Sequence, residues 1–147
     1  MNKLSAEKRT LIIHLLVEGN SLRSTSRISG CSINTVTKLL IDIGAACAEY
    51  QDKTLRDITC KRIECDEIWS FCYAKEKNVP EEFKGTFGYG DVYTWTAMCA
   101  ETKLMVNFLV GRRDADFAEQ FINDLASRLK NRVQVTTDGY NSNLRSR

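Results

Sequence analysis

The spacing of apolar residues changes from a helical to a strand period near residue 55, and that change limits the folds open to this chain. Before it, Leu11, Ile12, Leu15 and Leu16 recur at the period of a helix. After it, Ile63-Glu64-Cys65-Asp66-Glu67-Ile68-Trp69-Ser70-Phe71 alternates at the period of a strand. Cys65, Trp69 and Phe71 fall on one face and Glu64 and Asp66 on the other. Two units are expected, 1–55 and 56–147. An unpaired carboxylate is costly to bury, so the acidic face either meets solvent on an edge strand or holds a cation or metal. This segment alone leaves both readings open.

The first unit reads as three helices. Ser5 can cap the first, which Gly19-Asn20 ends; Asn20 or Ser21 can cap a second over Leu22–Ser29, which stops at Gly30. Ser32 or Asn34 can start a third through Val36, Leu39, Leu40 and Ile43; Gly44 is weak punctuation, and Ala45–Glu49 can continue it. Two helices joined tightly around a glycine are the layout of a helix-turn-helix. Small Ser26, four residues before Gly30, suits a close helix crossing. In that layout the third helix enters the major groove of double-stranded DNA. Ser32, Asn34, Thr35 and Lys38 then lie foremost, and Arg23 and Arg27, with Lys38, reach phosphates. A three-helix packing unit that touches no DNA is the alternative.

Gln51–Lys61 reads as a polar connection. In the second unit the opening strand precedes a loop, 74–91, with Lys75, Lys77, Lys84 and the aromatics Phe83, Phe87 and Tyr89. Those side chains can meet nucleic acid or form a plain surface loop. Strands over Val92–Ala100 and Leu104–Val110 follow, joined by Glu101-Thr102-Lys103 as a hairpin. Asp114 can cap a helix with the stripe Phe117, Phe121, Ile122, Leu125 and Leu129, which Asn131 closes. A last strand, Arg132–Thr137, leads into Asp138-Gly139. The order β-β-β-α-β is that of a ribonuclease H-like fold, in which the first and fourth strands are neighbours and Asp66 and Asp138 meet. The expected class is therefore α+β or α/β: a three-helix helix-turn-helix followed by an incomplete ribonuclease H-like domain.

Charge separates along the chain. Residues 1–40 carry six basic groups against two acidic ones, a net +4, while the whole chain is +2, so the remainder sums to −2. A basic front and acidic remainder fit DNA binding ahead of metal-binding carboxylates. The six cysteines contain no C-x-x-C pair and the only histidine, His14, is remote from them in sequence. Reduced core thiols are expected rather than structural zinc. With no apolar run near 18 residues and no apolar signal core, a cytoplasmic protein is expected, at the nucleoid when bound to DNA.

Several segments together resemble the insertion-sequence-one family of bacterial transposases. They are Cys-Asp-Glu-Ile-Trp-Ser-Phe (65–71), Gly-Asp-Val-Tyr-Thr-Trp-Thr-Ala (90–97), Glu-Thr-Lys-Leu (101–104), Val-Gly-Arg-Arg-Asp-Ala (110–115) and Thr-Thr-Asp-Gly-Tyr (136–140). Ser-Ile-Asn-Thr-Val-Thr-Lys-Leu-Leu (32–40) is similar to that family's helix-turn-helix. The resemblance covers nearly all of residues 5–140. It implies a DDE site in which two Asp and one Glu hold two divalent ions, normally Mg²⁺, for DNA cleavage and strand transfer. Asp66 matches the first Asp and Asp138 the second. Glu67 also matches the motif but faces away from Asp66, so no metal role is expected for it.

The resemblance has two gaps. No acidic residue follows Asp138, so the third carboxylate is missing, and no cysteine-rich zinc segment precedes the first helix. The chain is thus expected to be a C-terminally truncated, frameshifted or decayed transposase, inactive in strand transfer. The alternative is a non-catalytic product that binds the element's terminal repeats and limits transposition. A degenerate product that does not fold stably is a third reading, because a sheet cut after its fourth strand exposes an edge and an apolar face. Expected partners are terminal-repeat and target DNA, with a second copy of the chain or full-length transposase, and no membrane.

Overall fold

A computed structural model describes residues 4–137. The chain divides into two units, one ending at Thr54 and the other beginning at Leu55.

In the first unit, helix α1 (Ala6–Val17) starts where the Ser5 hydroxyl accepts the Lys8 amide. Helix α2 (Leu22–Ser29) is capped likewise by Ser21, and Gly30 ends it at φ +66°, a left-handed position that favours glycine. Helix α3 (Ile33–Thr54) begins with the Ser32 hydroxyl on the Thr35 amide, and its axis bends 113° from that of α2. Ile12, Thr25, Ser29 and Val36 form the buried centre. Ser26, expected at the crossing, is only half-buried, and its hydroxyl donates to the Cys31 carbonyl at 2.6 Å.

α3 also runs further than its apolar stripe suggests. Helix continues through Gly44 into the expected connection, as far as Thr54, although residues 44–50 are exposed. Good helix formers such as Ala45, Ala46, Ala48 and Glu49, with the ion pair Glu49–Lys53, sustain it there.

The second unit is a four-stranded mixed sheet with one long helix. Strands β1 (Arg62–Cys72), β2 (Gly90–Cys99), β3 (Met105–Gly111) and β4 (Gln134–Thr136) lie in the order β3-β2-β1-β4. β1–β2 and β2–β3 are antiparallel, and β4 is parallel to β1. Helix α4 (Ala115–Arg128), capped by Asp114, connects β3 to β4. It lays Ala118, Phe121 and Leu125 on a core of Ile63, Trp95, Ala97, Cys99 and Val106. A bulge after Ala97 lets Val106 and Asn107 both turn inward, and Asn107 Nδ2 donates to the Phe121 carbonyl. Gly111 has no room for a side chain, since a Cβ there would lie 2.0 Å from the Phe117 ring.

The 74–91 loop is partly ordered by two short 3₁₀ turns, Glu76–Asn78 and Glu81–Phe83. Glu76 and Asp91 close it reciprocally, each side-chain carboxylate accepting the other residue's amide. Among the described residues, no single helix is long and apolar enough to cross a membrane.

Candidate functional site

β1 carries two sets of side chains with different surroundings. Ile63 and Cys65 face α4 and the core, and Glu67 alternates onto the same side. Its side chain is only 11% exposed and pairs with Arg113 at 3.2 Å. Arg113 lies over the Tyr93 ring, 5.7 Å from its centroid. This Glu67–Arg113–Tyr93 group escapes a reading of local spacing, because its members are brought together by strand pairing (Glu67 opposite Trp95) and by the turn after β3. Burial pushes the Cys65 thiol up to about 11, and the nearby Glu67 carboxylate adds to the rise.

The other side of β1 presents Glu64, Asp66 and Ile68. Of the two readings left open for the acidic face, the structure gives a solvent-facing one: Asp66 is exposed, because α4 packs on the opposite face. Asp66 Oδ1 accepts the Glu67 amide at 2.8 Å, and its carbonyl accepts the Thr96 hydroxyl at 3.1 Å. Glu64 is engaged twice, by Lys103 at 3.4 Å and Arg62 at 3.6 Å. Asp66 makes no ion pair among the described residues, so it is the carboxylate left open to a ligand. Nor is β1 an edge strand, since it lies between β2 and β4.

β4 pairs with β1 in the register Glu64 opposite Thr136. Asp138, the second expected ligand, lies outside the described residues.

In the first unit the expected DNA-contacting side chains differ in how free they are. Arg23, Arg27 and Asn34 are exposed. Lys38 is exposed but held by Asp42 at 3.0 Å. Ser32 and Thr35 are turned to each other, their hydroxyls 2.8 Å apart, and Ser32 also caps α3. Lys8, counted among the basic front, donates to the Ser29 carbonyl at the end of α2.

A further cluster joins residues far apart in sequence. Cys60 Sγ lies 2.7 Å from Cys99 Sγ, and each sulfur is 3.4 Å from Glu101 Oε2. Both thiols are buried and Glu101 is exposed. Burial, then the hydrogen bonds to Cys99 and Glu101, push Cys60 up to about 11, while the bond from Cys60 draws Cys99 down. Burial alone would raise Glu101, but bonds from the two thiols hold it below the usual carboxylate value. The signal for this pair lies in strand register: Ile63 opposite Cys99 leaves Cys60 just beyond the end of β1.

Together these features define a three-helix unit followed by a mixed α/β unit with one open carboxylate at mid-strand. No protein-family model matches the chain, and no curated protein matches it.

Proposed function

We propose that this chain is a portion of an insertion-sequence transposase: a helix-turn-helix that binds the element's terminal repeats, followed by a ribonuclease H-like domain bearing part of a DDE site. The observation that carries the reading is the β3-β2-β1-β4 order with β4 parallel to β1, which sets an open Asp66 beside the strand leading to Asp138. Asp66 and Asp138 each stand two residues beyond the Glu64–Thr136 register pair in sequence. The 113° bend between α2 and α3 falls in the range of about 90–120° typical of helix-turn-helix pairs.

The donor chemistry at Asp66 fits Mg²⁺. A solvent-facing carboxylate with no basic partner among the described residues is a hard oxygen ligand, whereas Glu64 is already paired with Arg62 and Lys103. Asp66 and Asp138 are the proposed ligands, and Mg²⁺ bound there would activate water or a 3′ hydroxyl for attack at a phosphodiester. The chain's own part is positional. The Glu67 amide and the Thr96 hydroxyl fix the Asp66 carboxylate and backbone, and the α4-backed strand keeps them rigid.

In the first unit, the exposed Arg23 and Arg27 are the proposed phosphate contacts and Asn34 the base contact. Ser32 and Thr35 serve to start α3, and Lys38 must leave Asp42 to reach a phosphate. Because no acid follows Asp138 in these 147 residues, they are expected to bind terminal-repeat DNA without cutting it. That is also the behaviour of the second reading, a non-catalytic DNA-binding product. Completing the site with a downstream carboxylate from full-length transposase separates the two: cleavage restored in a mixed complex supports the first reading, and inhibition of that transposase supports the second. Mg²⁺-dependent cleavage by the 147 residues alone would sink the claim that they lack a complete site.

A further inference from the structure

The geometry points to a Zn²⁺ site formed by Cys60, Cys99 and Glu101, distinct from the Asp66 face and independent of the DNA-binding reading. Two thiols and a carboxylate converge on one point, all three donor atoms lying within 4.8 Å of one another. Cysteine sulfur and carboxylate oxygen together are a donor set that Zn²⁺ takes and Mg²⁺ does not. Two close sulfurs could instead share a proton or form a disulfide, but a disulfide would leave no thiol to donate to Glu101, whose Oε2 is 3.4 Å from both sulfurs. Once deprotonated, the two buried sulfurs beside the Glu101 carboxylate would need a cation to offset their charge. Two of the basic residues flanking them, Arg62 and Lys103, pair with Glu64.

The donors also sit on fixed supports. Asn131 clamps the Cys60 backbone from both sides, Oδ1 accepting its amide and Nδ2 donating to its carbonyl. Cys99 ends β2, where its amide donates to Leu104 and its carbonyl accepts from Lys103 across the hairpin. Glu101 stands in that hairpin turn and opens the cluster to solvent, which provides an entry path and room for a water as fourth ligand. At a Zn–S distance of about 2.3 Å, tetrahedral binding sets the sulfurs about 3.7 Å apart, so the pair opens by about 1 Å on binding. Each thiol loses its proton to solvent as the metal enters. A bound ion would staple the segment before β1 to the β2–β3 hairpin.

The test uses the 147-residue chain, purified with reductant, stripped by a chelator and titrated with Co²⁺ and then Zn²⁺. The expected result is about one ion per chain, a thiolate-to-cobalt charge-transfer band that Zn²⁺ displaces, and two thiols protected from a thiol reagent. Cys60→Ser and Cys99→Ser should each abolish the band, Glu101→Gln should weaken binding by about 10-fold or more, and Cys47→Ser should change nothing. Circular dichroism confirms that each variant is folded. Absence of the cobalt band in the folded wild-type chain overturns the site whatever the variants do. Loss of two thiols on air oxidation, recovered by reductant and unaffected by Zn²⁺, overturns it in favour of a disulfide.

Discussion

The two faces of the sheet are built from the same strands and have opposite characters. On one, α4 covers Ile63, Trp95, Ala97 and Val106, and even the charged Glu67 is drawn into a pair with Arg113. On the other, Ile68, Phe108 and Val110 are 58%, 43% and 56% exposed beside the open Asp66. Strand alternation decides which side chain goes to which face, but only the helix decides which face is buried. Stability should therefore reside on the covered face and ligand chemistry on the open one.

Substitutions that exchange these roles test that division. The largest effect is expected for Phe121→Ala, which empties the centre of the covered face and should cost about 3–5 kcal/mol in urea unfolding. A smaller loss, about 1–3 kcal/mol, is expected for Gly111→Ala, whose new methyl must displace the Phe117 ring. On the open face, Ile68→Thr and Asp66→Asn should each stay within about 0.5 kcal/mol of the parent. Asp66→Asn should nonetheless lose Mn²⁺ binding followed by proton relaxation. A large destabilisation by Asp66→Asn would mean that this carboxylate is structural.

The two faces should also differ in thiol chemistry. Cys65 lies on the covered face and Cys72 is exposed at the end of the same strand. At pH 9 Cys65, pushed up to about 11, is only about 1% thiolate. Alkylation at that pH should modify the exposed Cys72 first and Cys65 much more slowly, because burial both shields Cys65 and keeps it protonated. The difference should narrow as pH rises toward 11, where Cys65 ionises. Equal rates at pH 9 would show that α4 does not shield the face.

Much of the framework was legible in the amino-acid sequence because it is local. Ser21 and Gly30 bracket α2, Asp114 opens α4, and period-two alternation marks β1. What was not legible depends on partners distant in sequence or on exposed helix. The outer half of α3 has no apolar stripe to announce it, only good helix formers and ion pairing such as Glu49–Lys53. Asp66 could not be placed as exposed until α4 was known to lie on the other face. The Cys60–Cys99 pair and the Glu67–Arg113 pair are products of strand register and a turn, invisible to a search for closely spaced ligands.

The most direct test of the proposed function is the salt dependence of binding to duplex DNA carrying the element's own terminal repeat, measured by fluorescence anisotropy with a scrambled duplex as control. The account predicts tighter binding to the repeat than to the control. Arg23→Ala and Arg27→Ala should each lower the slope of log affinity against log salt by about 1, while Asn34→Ala should erase the preference for the repeat. Binding that does not distinguish the two duplexes, or a slope unchanged by both arginine substitutions, would contradict it.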